Sequence, residues 1–182
     1  MSLTTRKARN LGPAAAAANR AALLSAARAV FAESGLRAPL SAVARRAGVG
    51  QGSLYRHFPD RVALAVAVFE QNVDELESLA AQPGATLHDV VALLTRHIVE
   101  SAAFVDLVRA EGHDDRIDVL AVRVERALAK VVERDAAGAP AGLTGEDLRL
   151  AVTMVAGAVS GIPTEARARV AARAWELLGI RP

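Results

Sequence analysis

Residues 40–58 read LSAVARRAGVGQGSLYRHF, and this stretch decides the fold. Two short helical segments flank the turn Gly48–Gly50, and Ala44 is small enough to let the two helices cross closely. Val49 and Leu54 are expected to point into a shared core, which leaves the other side of the second helix at the surface. The pattern is typical of a helix-turn-helix, whose second helix can enter the major groove of DNA.

Basic residues are concentrated in the N-terminal third of the chain. Residues 1–61 hold ten Lys or Arg and two Asp or Glu, whereas the rest of the chain holds 12 and 18. The formal charge balance is therefore +8 in the first segment and −6 in the remainder. This separation favours contact of the N-terminal third with a polyanion, although a solvated basic surface explains the charge equally well.

The segment before the helix-turn-helix predicts an arm and one helix. Residues 1–18 lack apolar periodicity and are predicted to form a flexible basic arm that becomes helical only near its junction with the fold. Asn19 is a suitable N-cap for a first helix, which Gly35 would end. Pro39 suits the first position of the second helix, and Pro59–Asp60 is expected to end the third helix and cap a fourth.

The remainder of the chain reads as further helices, with starts predicted at Thr86, Thr144 and Thr164. The fourth helix carries an apolar stripe long enough to reach from one domain into the next. This stripe comprises Val62, Val66, Phe69, Val73, Leu76 and Ala80. The last helix is defined by the apolar residues Val170, Ala174, Leu177 and Leu178.

Composition favours an all-α protein, because 52% of the residues are hydrophobic while only 3% are aromatic. The absence of cysteine excludes disulfides, thiol nucleophiles and Cys-based metal sites. The longest uncharged apolar run, 150–164, is too short to span a membrane, so a cytoplasmic protein is predicted. We therefore predict a three-helix helix-turn-helix domain at 19–65, followed by a helical-bundle domain for ligand binding and dimerisation at 66–182.

The motif around the turn resembles the TetR family of transcriptional regulators. The family pattern runs from an apolar residue and Ala through Ala-Gly-Val to Gly, Ser or Thr, Leu-Tyr, a variable residue and His-Phe. A basic residue and a Leu follow shortly afterwards. The chain carries the pattern in order, as Val43-Ala44, Ala47-Gly48-Val49, Gly52-Ser53-Leu54-Tyr55-Arg56-His57-Phe58, Arg61 and Leu64.

The resemblance implies that several side chains of the helix-turn-helix contact the phosphates of DNA. Tyr55, His57 and Arg61 are implied to make such contacts, which position the protein without reading sequence. Arg45 and Arg46 are candidates for less specific contacts, and solvent exposure explains them equally well. Further candidates for phosphate or minor-groove contact in the arm are Arg6, Lys7 and Arg9.

The resemblance also implies which residues face the bases. Gln51, Ser53 and Arg56 would face base edges, where Gln can pair with adenine and Arg with guanine. Gly52 would let the backbone come close to DNA. The chain departs from the family at Gly50, where Ser is frequent, so that position lacks a side-chain cap for the recognition helix.

For the rest of the chain, the resemblance implies a ligand pocket and a homodimer that pairs through the last two helices, at about 144–160 and 164–178. Small side chains favour a modest pocket for an apolar or weakly polar molecule. The candidate lining residues are Phe69, Val73, Leu94, His97, Ile98, Phe104, Leu107, Val122 and Met154. The predicted function is a repressor that a small-molecule ligand releases from a palindromic operator in double-stranded DNA, without cofactor, metal or catalytic activity.

Two other functions stay open from the sequence. His97 and Glu100 lie three residues apart, and His113 follows in a charged stretch, which is compatible with a helical metal sensor or an enzyme. Solvated charge around a loop explains the same residues. A DNA-binding protein without an effector is the other alternative.

Overall fold

The structure, a computed structural model, describes residues 12–35, 37–100, 115–136 and 138–180, which form eight α-helices and no strand. The all-α prediction is confirmed. The helices are α1 (Pro13–Ser34), α2 (Leu40–Arg46), α3 (Gln51–His57), α4 (Arg61–Ala81), α5 (Leu87–Glu100), α6 (Asp115–Arg134), α7 (Gly145–Val159) and α8 (Thr164–Leu177). None of these helices is long and apolar enough to cross a membrane.

Helices α1 to α3 and the first half of α4 enclose one hydrophobic core, and we call this unit the head. Helices α2 and α3 have only seven residues each, so packing rather than helix propensity must hold them. The turn between them needs Gly48, because its φ of 65° is left-handed. The most deeply buried side chains of the head are Leu23, Leu24, Val43, Leu54 and Leu64.

Helix α4 contributes to two cores. Its first half buries Leu64 and Val68 in the head. Its second half buries Leu76 in a separate core with α5 to α8, and we call this second unit the body. In the first half of the predicted stripe, Val62 packs against the core of the head but is only half-buried, as is Val66. The head packs against a different side of the helix from the body, so no single stripe describes both.

The first helix begins at Pro13, six residues before the predicted N-cap Asn19. Proline suits the first turn of a helix, and the alanines that follow have the highest helix propensity of all residues. Residues 13–18 therefore extend α1, although the sequence predicted a flexible arm that included them. Residues 1–11 of that arm lie outside the described residues.

Three predicted helix starts have the expected side-chain caps. The carboxylate of Asp60 accepts a hydrogen bond from the backbone of α4, and Thr86 and Thr144 each exchange hydrogen bonds with an aspartate three residues later. The prediction for Thr164 was wrong, because Pro163 holds the N-cap position of α8 without a side-chain hydrogen bond.

Trp175 of α8 anchors the core of the body. Its side chain is 0% exposed, and Nε1 donates a hydrogen bond of 2.8 Å to Oγ1 of Thr95 on α5. Ala171 faces the same core, whereas Leu177 is 72% exposed and Val170 is half-buried. Of the predicted apolar residues of α8, Val170, Ala174 and Leu178 pack against the core only as half-buried side chains, and the prediction was wrong for Leu177. The helix has two apolar stripes, and the stripe with the indole ring packs inward.

Ion pairs tie α4 to α6. Nη2 of Arg123 donates hydrogen bonds of 2.7 Å to Oδ1 of Asp74 and 2.6 Å to Oε2 of Glu77. The bond to Glu77 is the main cause that raises the pKa of Arg123, and the same bond lowers the pKa of Glu77. These contacts hold α6 beside the half of α4 that belongs to the body.

Candidate nucleic-acid interface and ligand cavity

Helix α3 presents one face to solvent. Gln51, Gly52, Tyr55 and Arg56 are exposed, while Leu54 points the other way into the core of the head. These positions fall on one side because residues four apart lie one above the other on a helix. The Tyr55 side chain is 53% exposed, so a large aromatic group with a hydrogen-bonding hydroxyl is available to a partner.

Ser53 and His57, which border the exposed face of α3, are half-buried. Ser53 accepts a hydrogen bond of 3.3 Å from Nη2 of Arg56, and His57 lies with its ring centroid 6.2 Å from that of Phe58. Phe58 is buried as a core aromatic, and the guanidinium of Arg20 stacks 5.4 Å from its ring centroid. The side chains implied to read bases and to contact phosphates therefore lie next to one another.

The surface around α3 is positively charged. No acidic residue occurs between Arg37 and Pro59. Arg45 is exposed at the end of α2, and Arg46 beside it forms an ion pair of 2.7 Å with Glu33. Both partners of that pair are largely exposed, and such pairs contribute only about 0–1 kcal/mol. A phosphate could therefore displace Glu33 at small cost.

Arg61 has a structural contact in addition to its implied role at phosphate. Its Nη1 donates a hydrogen bond to the backbone carbonyl of Ala38, which links the start of α4 to the loop before α2. The guanidinium is half-buried in this position. Arg61 therefore orients the two helices of the motif relative to α4.

The glycines at the start of α3 lie at an open surface. A Cβ atom at Gly52 would meet no other atom within 4 Å, so internal packing does not require glycine there. Gly50 is the N-cap and provides no side-chain hydrogen bond, as the sequence predicted. The backbone at Gly52 is accessible to a large ligand such as a duplex.

A cavity of about 240 Å³ lies within the body, between α4, α5, α6 and α7. Five of the nine predicted residues line it, namely Phe69, Val73, Leu94, His97 and Ile98. The other lining residues are Asn72, Leu76, Ile117, Ala121, Val124, Arg149, Val152, Thr153 and Ala156. Most of these side chains are apolar, as expected for a small-molecule site.

The remaining predicted lining residues do not contribute to this cavity. Val122 and Met154 are each more than half exposed at the surface, so these two predictions were wrong for this cavity. Each follows a true lining residue, Ala121 or Thr153, and one step along a helix turns the side chain by about 100°. Phe104 and Leu107 lie outside the described residues.

Sequence reasoning missed the polar residues of the cavity. Met154 was the only residue of α7 predicted to line the pocket, yet Arg149 and Thr153 of α7 and Asn72 of α4 lie in the cavity wall. A search for apolar lining passes over such residues. The useful signal is the spacing of Arg149, Val152, Thr153 and Ala156, which lie on one side of α7.

His97 takes part in a hydrogen bond between helices. It is 6% exposed, and its Nε2 lies 2.9 Å from Oε2 of Glu75, whose other oxygen accepts a bond of 2.6 Å from Arg96. Burial lowers the pKa of His97, and the bonds from Arg96 and His97 lower that of Glu75. Nothing in the described ranges completes a metal site, and His113 lies outside them.

The chain is similar to known regulators. The family model of bacterial regulatory proteins, tetR family, matches residues 23–68. The TetR transcription regulatory protein from Mycobacterium vanbaalenii is 30% identical, with a TM-score of 0.60 over 93% of this chain and 98% of that one. A TetR transcriptional regulator from Streptomyces coelicolor is 30% identical, with a TM-score of 0.57 over 90% of this chain and 98% of that one.

SmeT, the repressor of the Stenotrophomonas maltophilia multidrug efflux pump SmeDEF, shares the fold at 21% identity, with a TM-score of 0.51 and 87% of each chain covered. No curated protein is significantly similar to the chain.

Proposed function

Since the chain belongs to the TetR family of bacterial transcriptional regulators, we propose that it is a homodimeric repressor that a small ligand releases from a palindromic operator. It acts in the cytoplasm. The observation that carries the proposal is the exposed face of α3, where Gln51, Tyr55 and Arg56 project from a helix whose inner residue Leu54 is fully packed. A rigid helix with this face can dock in the major groove.

The continuous helix α4 supports coupling between ligand and DNA. Val68 packs in the core of the head, and Phe69 and Asn72, within one turn of it, line the cavity. A ligand that fills the cavity favours one position of α4 over another, and the head moves together with α4. The two recognition helices of a dimer then no longer match successive major grooves, which lie about 34–36 Å apart.

An exposed apolar surface on the last two helices supports the dimer. Leu150 and Met154 are one turn apart on α7 and more than half exposed, and Leu177 of α8 is exposed as well. Val170 and Ala174 precede Leu177 at helical spacing, and both are half-buried beside the core of the body. Exposed apolar side chains such as these are typical of a surface that a second copy covers.

In vitro selection of DNA by the purified chain tests the function. We expect an enriched palindrome with half-sites about one helical turn apart or slightly more. Binding to that site should weaken about a thousandfold or more between 50 and 200 mM salt, because phosphate contacts release counterions. A shuffled duplex of equal length is the control. Recovery of no palindrome, together with binding that does not respond to salt, would contradict the proposal.

A charge placed on the dimer surface should separate the subunits. In the double variant Met154→Glu/Leu177→Glu, association would bury carboxylates among apolar groups, which costs several kcal/mol. We expect sedimentation to show a monomer at concentrations where the parent chain is a dimer. Val119→Glu is the matched control, since Val119 is 61% exposed on α6 and should leave the dimer intact. A double variant that sediments as a dimer would exclude α7 and α8 as the interface.

A further inference from the structure

The cavity of the body combines an apolar wall with a single formal charge. Of its lining residues in the described part of the chain, only Arg149 is permanently charged, and none is acidic. The other polar groups come from Asn72, His97 and Thr153. A positive charge with no acidic residue among these lining residues favours a ligand that carries the opposite charge.

Arg149 has an unused hydrogen-bond donor in this wall. Its Nε is closed off from solvent, and none of the described residues accepts a hydrogen bond from it. The carboxylate of Glu125 approaches Nε only to 3.8 Å, beyond hydrogen-bond distance, and both side chains are largely exposed. An isolated N–H group that is hidden from water gains most from an acceptor supplied by a ligand.

The neighbouring polar groups form hydrogen bonds with other partners and not with Nε of Arg149. Nε2 of His97 is already held by Glu75, and burial lowers the pKa of His97 and so favours the neutral ring. The hydroxyl of Thr153 donates to the backbone carbonyl of Arg149 and makes no hydrogen bond with Nε of Arg149. A ligand oxygen that accepts, rather than a donor group, therefore fits beside Arg149.

We propose that the effector is a small monocarboxylate whose carboxylate binds Arg149 and whose hydrocarbon part packs against Phe69, Leu94 and Ile98. This inference rests on the proposed function, because it names the ligand class of the same cavity. A guanidinium matches the planar carboxylate with parallel hydrogen bonds. The volume of about 240 Å³ equals the liquid volume of roughly eight water molecules, which suits a ligand of roughly ten non-hydrogen atoms.

Calorimetry on the full chain without DNA tests the ligand class. The probes are hexanoate, octanoate, benzoate and phenylacetate, each compared with its uncharged amide. We expect at least one carboxylate to bind at least about tenfold more tightly than its amide, because a charge-assisted hydrogen bond is lost in the amide. We expect Arg149→Gln to remove this difference. Arg126→Gln deletes an exposed arginine of α6 outside the cavity and should preserve it.

The outcomes separate the ligand class from the function. Equal affinity for acids and amides, or an acid preference that survives in Arg149→Gln, overturns the inference even if the chain binds an operator. An Arg149-dependent acid preference without release of the selected operator supports the inference and contradicts ligand-controlled repression. If Arg149→Gln does not fold, as judged by thermal unfolding, Arg149→Lys replaces it. Lysine retains the charge without the planar fork, and we expect a reduced acid preference.

Discussion

Replacement of both Tyr55 and His57 by alanine is expected to weaken operator binding by about a hundredfold or more, with little change in stability. Hydrogen bonds to charged groups contribute about 1.5–3 kcal/mol each, and two of them to phosphates would be lost. Stability should change little because Tyr55 is exposed and His57 is only half-buried. Titration of the selected operator, followed by fluorescence anisotropy, measures the loss, and thermal unfolding verifies the fold.

Two further variants distinguish this loss from other causes. His88→Ala removes an exposed histidine at the start of α5, far along the chain from α3, and should not affect operator affinity. Gln51→Ala should relax the sequence preference at one base pair, because glutamine reads a base edge whereas phosphate contacts carry no sequence information. An affinity of the double variant within twofold of the parent would refute the assignment of Tyr55 and His57.

Trp175→Ala is expected to have the largest effect on the fold and to lower the free energy of unfolding by about 3–5 kcal/mol. The substitution leaves a cavity where the indole ring is fully buried, and it removes the hydrogen bond to Thr95 that joins α8 to α5. Denaturant titration at a fixed protein concentration measures the change, because the stability of a dimer depends on concentration.

Two further substitutions separate the contribution of the Trp175 ring to stability from that of its hydrogen bond. Trp175→Phe keeps most of the ring but loses the hydrogen bond, so it should cost less than the alanine variant. Val119→Ala shortens an exposed side chain of α6 and should stay within about 0.5 kcal/mol of the parent. A Trp175→Ala chain as stable as Val119→Ala would show that the indole ring is not part of the core.

The local features of the head could be predicted from the sequence. The turn at Gly48, the bounds of α3 and the cap at Asp60 depend on residues that are close along the chain. Phi preference, capping and short-range spacing act within a few residues, so they can be read directly from the sequence. Burial of Leu54 and exposure of Tyr55 follow because α3 has one apolar side and one polar side.

The orientation of the longer helices could not be predicted in the same way. Helix α8 has apolar residues on two sides, and the core selects Ala171 and Trp175 while Leu177 points outward. Helix α4 packs its two halves against different cores. Hydrophobic periodicity shows that a face is apolar, but it does not show what the face packs against.

The sequence by itself determined the helix-turn-helix, because that motif depends on residue types at short spacing between Ala44 and Phe58. Only the tertiary structure decided what the body encloses. Arg149 looks like an ordinary surface residue of an amphipathic helix until α4, α5, α6 and α7 close around the cavity. Its Nε is closed off from solvent only in the folded chain, and no local pattern records such an arrangement.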